Sequence, residues 1–446
     1  MAYVSRNNRR PAEYASRGGH TPIINHQTVQ SFIGRCSLPP FSRTVELGPD
    51  NLVPVPVLDN NPIELIIAVD GGFGEAVVRK EYPSSTIHFF NYGALIFRAE
   101  DLDHLKDQPF IDPADMSKLK NIRRFHFVLP SRNLAIKGFS LVNSVRQSFL
   151  ELFGKSQDGE RPFMESLRWL IFEEYRKDRV KPTWNLAGCP NCDGRNISIS
   201  SEMPDVFPCP YCHQEIHFTD IFRLHEVIDD ELGAGGIIGY TMNLLEQLLI
   251  VHLIKTIWDL KPDLLKKTLF IKDGPLAFFG QTANLHKPMR NLVAFLASQD
   301  GKVSYLNMVG IEKSGAFVDH ANEIRNRLPL DHILILDNEY IYRHIIPGTA
   351  NSDRPYGSTT YFGNKMIYRT QEDRLYLLTI PTTEILAKPE TKDFPGLFPV
   401  LNNVRRLKCD MYDDALLPVA LVNKLVSLSQ HPSMVLLEQF AKKQLG

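Results

Sequence analysis

The chain has 446 residues, with 50 Lys plus Arg against 51 Asp plus Glu and a hydrophobic fraction of 43%. That length predicts two or three domains and a large core. The near-neutral balance excludes a global polycation, so any nucleic-acid contact must come from local patches.

Residues 1–25 are polar and basic, with Arg6, Arg9, Arg10 and Arg17. No apolar segment follows these arginines, so the stretch reads as a tail and not as a signal peptide. Residues 26–60 carry Pro39-Pro40, Pro54 and Pro56 and read as an irregular lead-in. A first core unit is expected over residues 61–100. Ile63 to Val69 is almost continuously apolar, which suits a central strand covered on both faces. It runs into Asp70, and Gly71-Gly72 is expected to break it. Ala76 to Val78, Thr86 to Phe90 and Tyr92 to Phe97 follow as strand candidates of a meander.

Residues 101–235 change character. Leu141 to Phe153 and Met164 to Tyr175 have the spacing of amphipathic helices, and residues 181–217 form a small cysteine module. From 236 to 446 the pattern is α/β. A long helix comes first, then a strand to Asp273, a helix around Met289 to Ala297 and a strand at Val303 to Ile311. Strands at His332 to Leu336 and Leu375 to Ile380 follow, and a helix over Ala415 to Ser429. No window reads as a membrane span. The most apolar run, Leu244 to Trp258, is interrupted by Glu246, His252 and Lys255.

Two apolar strands run straight into Asp-Gly: Leu65-Ile66-Ile67-Ala68-Val69-Asp70-Gly71 and Leu269-Phe270-Ile271-Lys272-Asp273-Gly274. A carboxylate at the end of an apolar strand is costly unless something positive meets it. Between them lies Glu246. On a helix it shares a stripe with Met242, Leu249, Ile250 and Leu253, so it points inward. Three converging carboxylates make a hard-cation site of oxygen ligands for Mn²⁺ or Mg²⁺. The alternatives are an Asp-Gly turn at each strand end and a buried ion pair at Glu246. Lys313 follows the apolar strand Met308 to Ile311 and could steady a phosphate oxygen, or serve a structural ion pair.

Six cysteines are present, of which Cys36 and Cys409 stand alone, a usage that fits a reducing cytoplasm. The other four form Cys189-Pro190-Asn191-Cys192 and Cys209-Pro210-Tyr211-Cys212. Two CxxC knuckles at this spacing predict a structural Zn²⁺ held by Cys189, Cys192, Cys209 and Cys212, a zinc ribbon with no open catalytic position. Its contact surface, DNA or protein, stays open. Several other motifs fail. Gly154-Lys155-Ser156 lacks the earlier glycine of a P-loop, since Phe149 stands there. Gly233-Ala234-Gly235-Gly236 lacks the strand and spacing of a dinucleotide fingerprint.

With these residues placed, the chain resembles the NurA nuclease family. The matching features are Ala68-Val69-Asp70-Gly71, Leu245-Glu246, Ile271 to Leu276, Val309 to Ser314, and a C-terminal Tyr followed by an Ala/Leu-rich helix. They span roughly residues 62–100 and 236–430, which makes residues 101–235 an insertion. The resemblance implies an α/β, RNase H-like mixed sheet flanked by helices, and Mn²⁺-dependent 5′→3′ exonuclease and endonuclease activity on DNA. It also implies a homodimer and partnership with a HerA-type hexameric ATPase, in DNA end processing or defence against foreign DNA. Asp70, Glu246 and Asp273 fall on the family's acidic positions. Tyr412 can fill the role of its C-terminal Tyr. The family's C-terminal His is missing, with Asn423 the nearest polar candidate, and Gly72 stands where the family often has Ser. The competing expectation is a non-catalytic adaptor that binds DNA or the ATPase on a nuclease-like scaffold.

Overall fold

The computed structural model describes residues 18–42, 45–48, 51–103, 122–156, 159–177, 179–229, 231–299, 305–410, 412 and 415–445. Arg6, Arg9, Arg10 and Arg17 lie outside them. The strands are β1 (Leu52–Pro54), β2 (Leu65–Arg79), β3 (Ser85–Arg98), β4 (Ile122–Arg132), β5 (Trp184–Gly188), β6 (Arg195–Ile199), β7 (Val206–Pro208), β8 (Glu215–His217), β9 (Thr268–Asp273), β10 (Asn307–Glu312), β11 (His332–Ile335), β12 (Gly363–Arg369) and β13 (Leu375–Pro381). The helices are α1 (His20–Asn25), α2 (Gln27–Ile33), α3 (Ala99–Asp103), α4 (Leu141–Gly154), α5 (Phe163–Ile171), α6 (Ile238–Leu260), α7 (His286–Ser298), α8 (Ala316–Ile324), α9 (Asn338–His344), α10 (Leu397–Arg406), α11 (Leu417–Val426) and α12 (Val435–Leu445).

Nine strands form one mixed sheet in the order β1-β11-β12-β13-β10-β9-β2-β3-β4. Strands β2, β3 and β4 make an antiparallel meander, while β9 and β10 run parallel to β2. Parallel strands need crossovers, and α6 and α7 supply them. Strands β4-β3-β2-β9-β10, with these crossovers, have the arrangement of a ribonuclease H-like sheet. Strands β13, β12, β11 and β1 extend it with antiparallel pairs. Both faces are covered, which explains the unbroken apolar runs. Ile67, Val69 and Phe270 pack into one core with α6. Ile66, Ala68, Leu269 and Ile271 pack into another with α10 and α11.

Strand β2 does not break at Gly71-Gly72 but runs on through Arg79. The glycines serve close packing of layers, not a turn. A Cβ on Gly71 would run into Met242 of α6, and one on Gly72 would lie 3.0 Å from the carbonyl oxygen of Val426 at the end of α11. The candidates at Thr86 to Phe90 and Tyr92 to Phe97 are likewise one strand, β3. Asn91, between them, donates its Nδ2 hydrogen to Val426 O at 2.9 Å.

Residues 101–235, read as an insertion, contribute β4 to the central sheet, and α4 packs against that strand. The cysteine module consists of two hairpins, β5-β6 and β7-β8. Leu186, Ile197, Phe207 and Ile216 belong to the same core as α4, α5 and α6. Two arginines tie the module down. Arg146 of α4 donates from Nε and Nη2 to the two oxygens of Asp220, at 2.9 and 2.8 Å, and from Nη2 to Glu215 O. Arg168 of α5 donates to Ser201 O and Met203 O and stacks on Phe172 and Phe218. Planar guanidinium forks suit such several-point capture. Helix α6 is, among the described residues, the one long and apolar enough to cross a membrane, and 83% of its most apolar window is buried inside the protein.

Candidate acidic site and cysteine cluster

Strands β2 and β9 pair in parallel as far as Val69 and Lys272. Strand β9 then ends at Asp273, while β2 continues alone with β3. The next residues in that register are Asp70 and Asp273. They stand at the point where the two strands part, on the face shared with Ala68 and Ile271 because side chains alternate along a strand. Lys272 points to the other face. There its Nζ meets Glu246 Oε2 of α6 at 2.6 Å, with 2% and 9% of the two side chains exposed. The same ammonium donates to Asp273 O at 2.7 Å. The apolar stripe placed Glu246 inward, and Met242, Leu249, Ile250 and Leu253 are all buried beside it.

The three carboxylates act on one another electrostatically. Asp70 is buried, and its pKa is pushed up to about 7. Burial is the main cause, followed by the negative charges of Asp273 and Glu246; hydrogen bonds from Gly71 N–H and the Asn423 side chain act in the opposite sense. Gly71 N donates to Asp70 Oδ1 at 2.8 Å, but Oδ2 is buried without a hydrogen-bond partner. Glu246 is also raised, again by burial first, with Lys272 opposing. Asp273 Oδ2 is held by Lys313 Nζ at 2.6 Å.

Asp70, Glu246, Asp273 and Lys313 are therefore neighbours at the end of the β9–β10 pair, and Asn423 of α11 reaches the same corner. Tyr412 is not brought there. It is exposed in the loop between α10 and α11, and its carbonyl accepts from Ala415 N. Asn423 lies two turns into α11, near its other end. Lys272 lay inside the quoted strand without a role assigned to it. Its signal was a lysine within an apolar strand, beside an acid.

A buried, orphaned carboxylate oxygen within the electrostatic reach of two further carboxylates fits a divalent cation. The donors are not drawn tight: among the described residues no three acids bring one oxygen each within 4.8 Å of one another. Lys272 on Glu246 and Lys313 on Asp273 each offset one carboxylate, and Asp70 has no cation of its own among the described residues.

The four cysteines do meet that distance, each Sγ within 4.8 Å of the others. Cys189 and Cys212, and Cys192 and Cys209, have their sulfurs 3.9 Å apart. Ligands about 2.3 Å from a tetrahedral ion are about 3.8 Å from each other. Backbone N–H groups of Asn191, Gly194 and Tyr211 point at Cys189, Cys192 and Cys209 Sγ, at 3.3 to 3.4 Å. Such donors stabilise thiolates. No histidine joins the group, so the cluster is a closed four-sulfur set compatible with zinc.

Two relay-like groups belong to packing. Ser166 Oγ lies 2.9 Å from His252 Nδ1, but both residues are almost fully buried. His320 bridges Ser42 and Tyr340, also in the interior.

No protein-family model matches the chain, and no curated protein matches it. Among solved structures, the chain is similar to the NurA nuclease from Sulfolobus solfataricus, at 9% identity and a TM-score of 0.34, over 96% of this chain and 97% of that one. A score of that size carries no argument about function, which rests on this chain's own geometry.

Proposed function

We propose that the protein is a divalent-metal-dependent deoxyribonuclease that hydrolyses phosphodiester bonds. The observation carrying this reading is Asp70, a buried carboxylate with one unpartnered oxygen, its ionisation opposed by Asp273 and Glu246. Asp70, Glu246 and Asp273 would hold Mn²⁺ or Mg²⁺, which when bound supplies water activation and neutralisation of the leaving 3′ oxygen. The chain's own groups do the rest. Lys313, a third exposed, can turn from Asp273 to a phosphate oxygen and offset charge there. Asn423 and the Gly71 N–H fix the orientation of Asp70. The four cysteines would bind Zn²⁺ and fold the ribbon. Tyr412 could contribute only through its loop.

The 5′→3′ polarity, the homodimer and the HerA-type ATPase partner come with the family resemblance and are carried as parts of the proposal. The test is cleavage of end-labelled DNA by the purified protein with Mn²⁺. Asp70→Asn should lose the activity, and a variant that cuts as fast as the parent overturns the reading. A second reading, a non-catalytic adaptor, is favoured by the lysines already paired with Glu246 and Asp273. It requires that Mn²⁺ leave the melting temperature unchanged.

A further inference from the structure

We propose a second nucleic-acid site, away from the acidic cluster: a groove along α7 that takes a single strand. Lys287, Asn291 and Phe295 recur every four residues along the helix, and Gln299 follows at its C-cap, so they form one stripe. The stripe lines two adjoining hollows of about 320 and 530 Å³. Their other wall is built by Glu173, Tyr175, Arg176, Lys177, Arg179 and Pro182 to Asn185, on the way into the cysteine module.

The lining has the chemistry of a stacking platform. Trp258 and Tyr175 flank Phe295 at ring-centroid distances of 5.3 and 4.7 Å. Trp184 lines the second hollow, and both tryptophans are partly exposed. Tyr175 is buried, and its hydroxyl has no partner. Among the described residues, four cations line the two hollows, Arg176, Lys177, Arg179 and Lys287, with one carboxylate, that of Glu173. Glu173 is already neutralised by Arg176 at 2.9 Å, with Arg179 also within 3.7 Å, and receives Asn291 Nδ2 at 2.8 Å. Lys177, Arg179 and Lys287 remain exposed. Partly exposed rings interleaved with cations bind single strands by stacking and phosphate contact, without needing sequence.

The stripe from Lys287 to Gln299 is about 18 Å long. A crossover helix starts where β9 ends, so the Lys287 end lies toward the acidic cluster. The groove goes beyond the hydrolase reading and does not need the acids to be catalytic.

The experiment titrates the full chain with a single-stranded oligothymidylate, without added divalent metal, and follows tryptophan fluorescence. Binding should quench the emission, and Trp258→Phe should remove part of the quench. A triple variant, Lys177→Ala, Arg179→Ala and Lys287→Ala, should bind at least about tenfold more weakly and lower the salt slope by about 2. Its melting temperature should match the parent's, because the replaced side chains are exposed. Asp70→Asn should bind like the parent. Wild-type affinity and salt slope in the triple variant would overturn the proposal, as would absence of quenching in the parent. Either result leaves the Asp70 cleavage test standing on its own.

Discussion

Lys272 and Glu246 form a buried ion pair between the central sheet and α6, with Nζ 2.6 Å from Oε2. The ammonium also touches the backbone of Asp273, so it serves as a resident counter-ion for the acidic cluster. Removing one partner of such a pair leaves an uncompensated charge in the interior. Lys272→Met should therefore cost about 3–5 kcal/mol in metal-free urea denaturation. Mn²⁺ should restore more stability to this variant than it adds to the parent. An unchanged denaturation midpoint would contradict the assigned role.

Asp70 links the site to pH. Its folded value of about 7 lies above its ordinary 3.8. The folded state therefore holds the proton more tightly. The bias costs nothing below about pH 4, grows as the unfolded chain ionises, and is complete above about pH 7. Within that window metal-free stability should fall by up to about 1.4 kcal/mol per pH unit from this group. Asp70→Asn should flatten the profile and be more stable than the parent at pH 8. Melting curves across pH 4 to 8 check this, and parallel profiles would refute it.

Lys313 has two opposite effects. Freed from it, Asp273 should bind Mn²⁺ more tightly. The loss of a cation at the phosphate should slow cleavage by about 10²-fold. Lys313→Ala should thus separate metal affinity, read by titration, from turnover, read on labelled DNA. A variant that loses both together would place Lys313 in folding alone.

Asn423 and Tyr412 make a matched pair. Asn423 lowers the pKa of Asp70, so Asn423→Ala should move the acidic limb of the pH–rate profile to higher pH. Tyr412→Phe should leave rate and profile unchanged. A large loss in the Tyr412 variant would mean that its loop folds over the site with substrate.

The cysteine cluster should carry one zinc per chain, measurable with a colorimetric chelator after denaturation. Cys209 is buried, and its hairpin shares the core with α4 and α5. Cys209→Ser should therefore lower the melting temperature of the whole protein, not only unravel a peripheral module. An unchanged melting temperature in that variant would contradict the shared core.

Where the candidate acids lie could be read from the chain, because strand-end acids and an acid on an apolar helical stripe are expensive patterns with few solutions. Asp70, Asp273 and Glu246 are such residues. The continuity of β2 could not be read. Gly71 and Gly72 look like a turn locally, and only the approach of Met242 and Val426 from opposite sides explains them. The place of β4 was hidden for a similar reason. Its partner strand is set by the sheet, and the docking of the cysteine module depends on the Arg146–Asp220 pair between distant segments. Tyr412 was assigned by order along the chain, and order does not fix which end of α11 faces the acids.

Asp70 and Asp273 approach from one side of the sheet and Glu246 from the other. To share an ion as proposed, the three carboxylates would have to gather around the rim where β2 leaves β9. Sliding α6 by one helical step along its bed would withdraw one donor and leave the remaining two where they are.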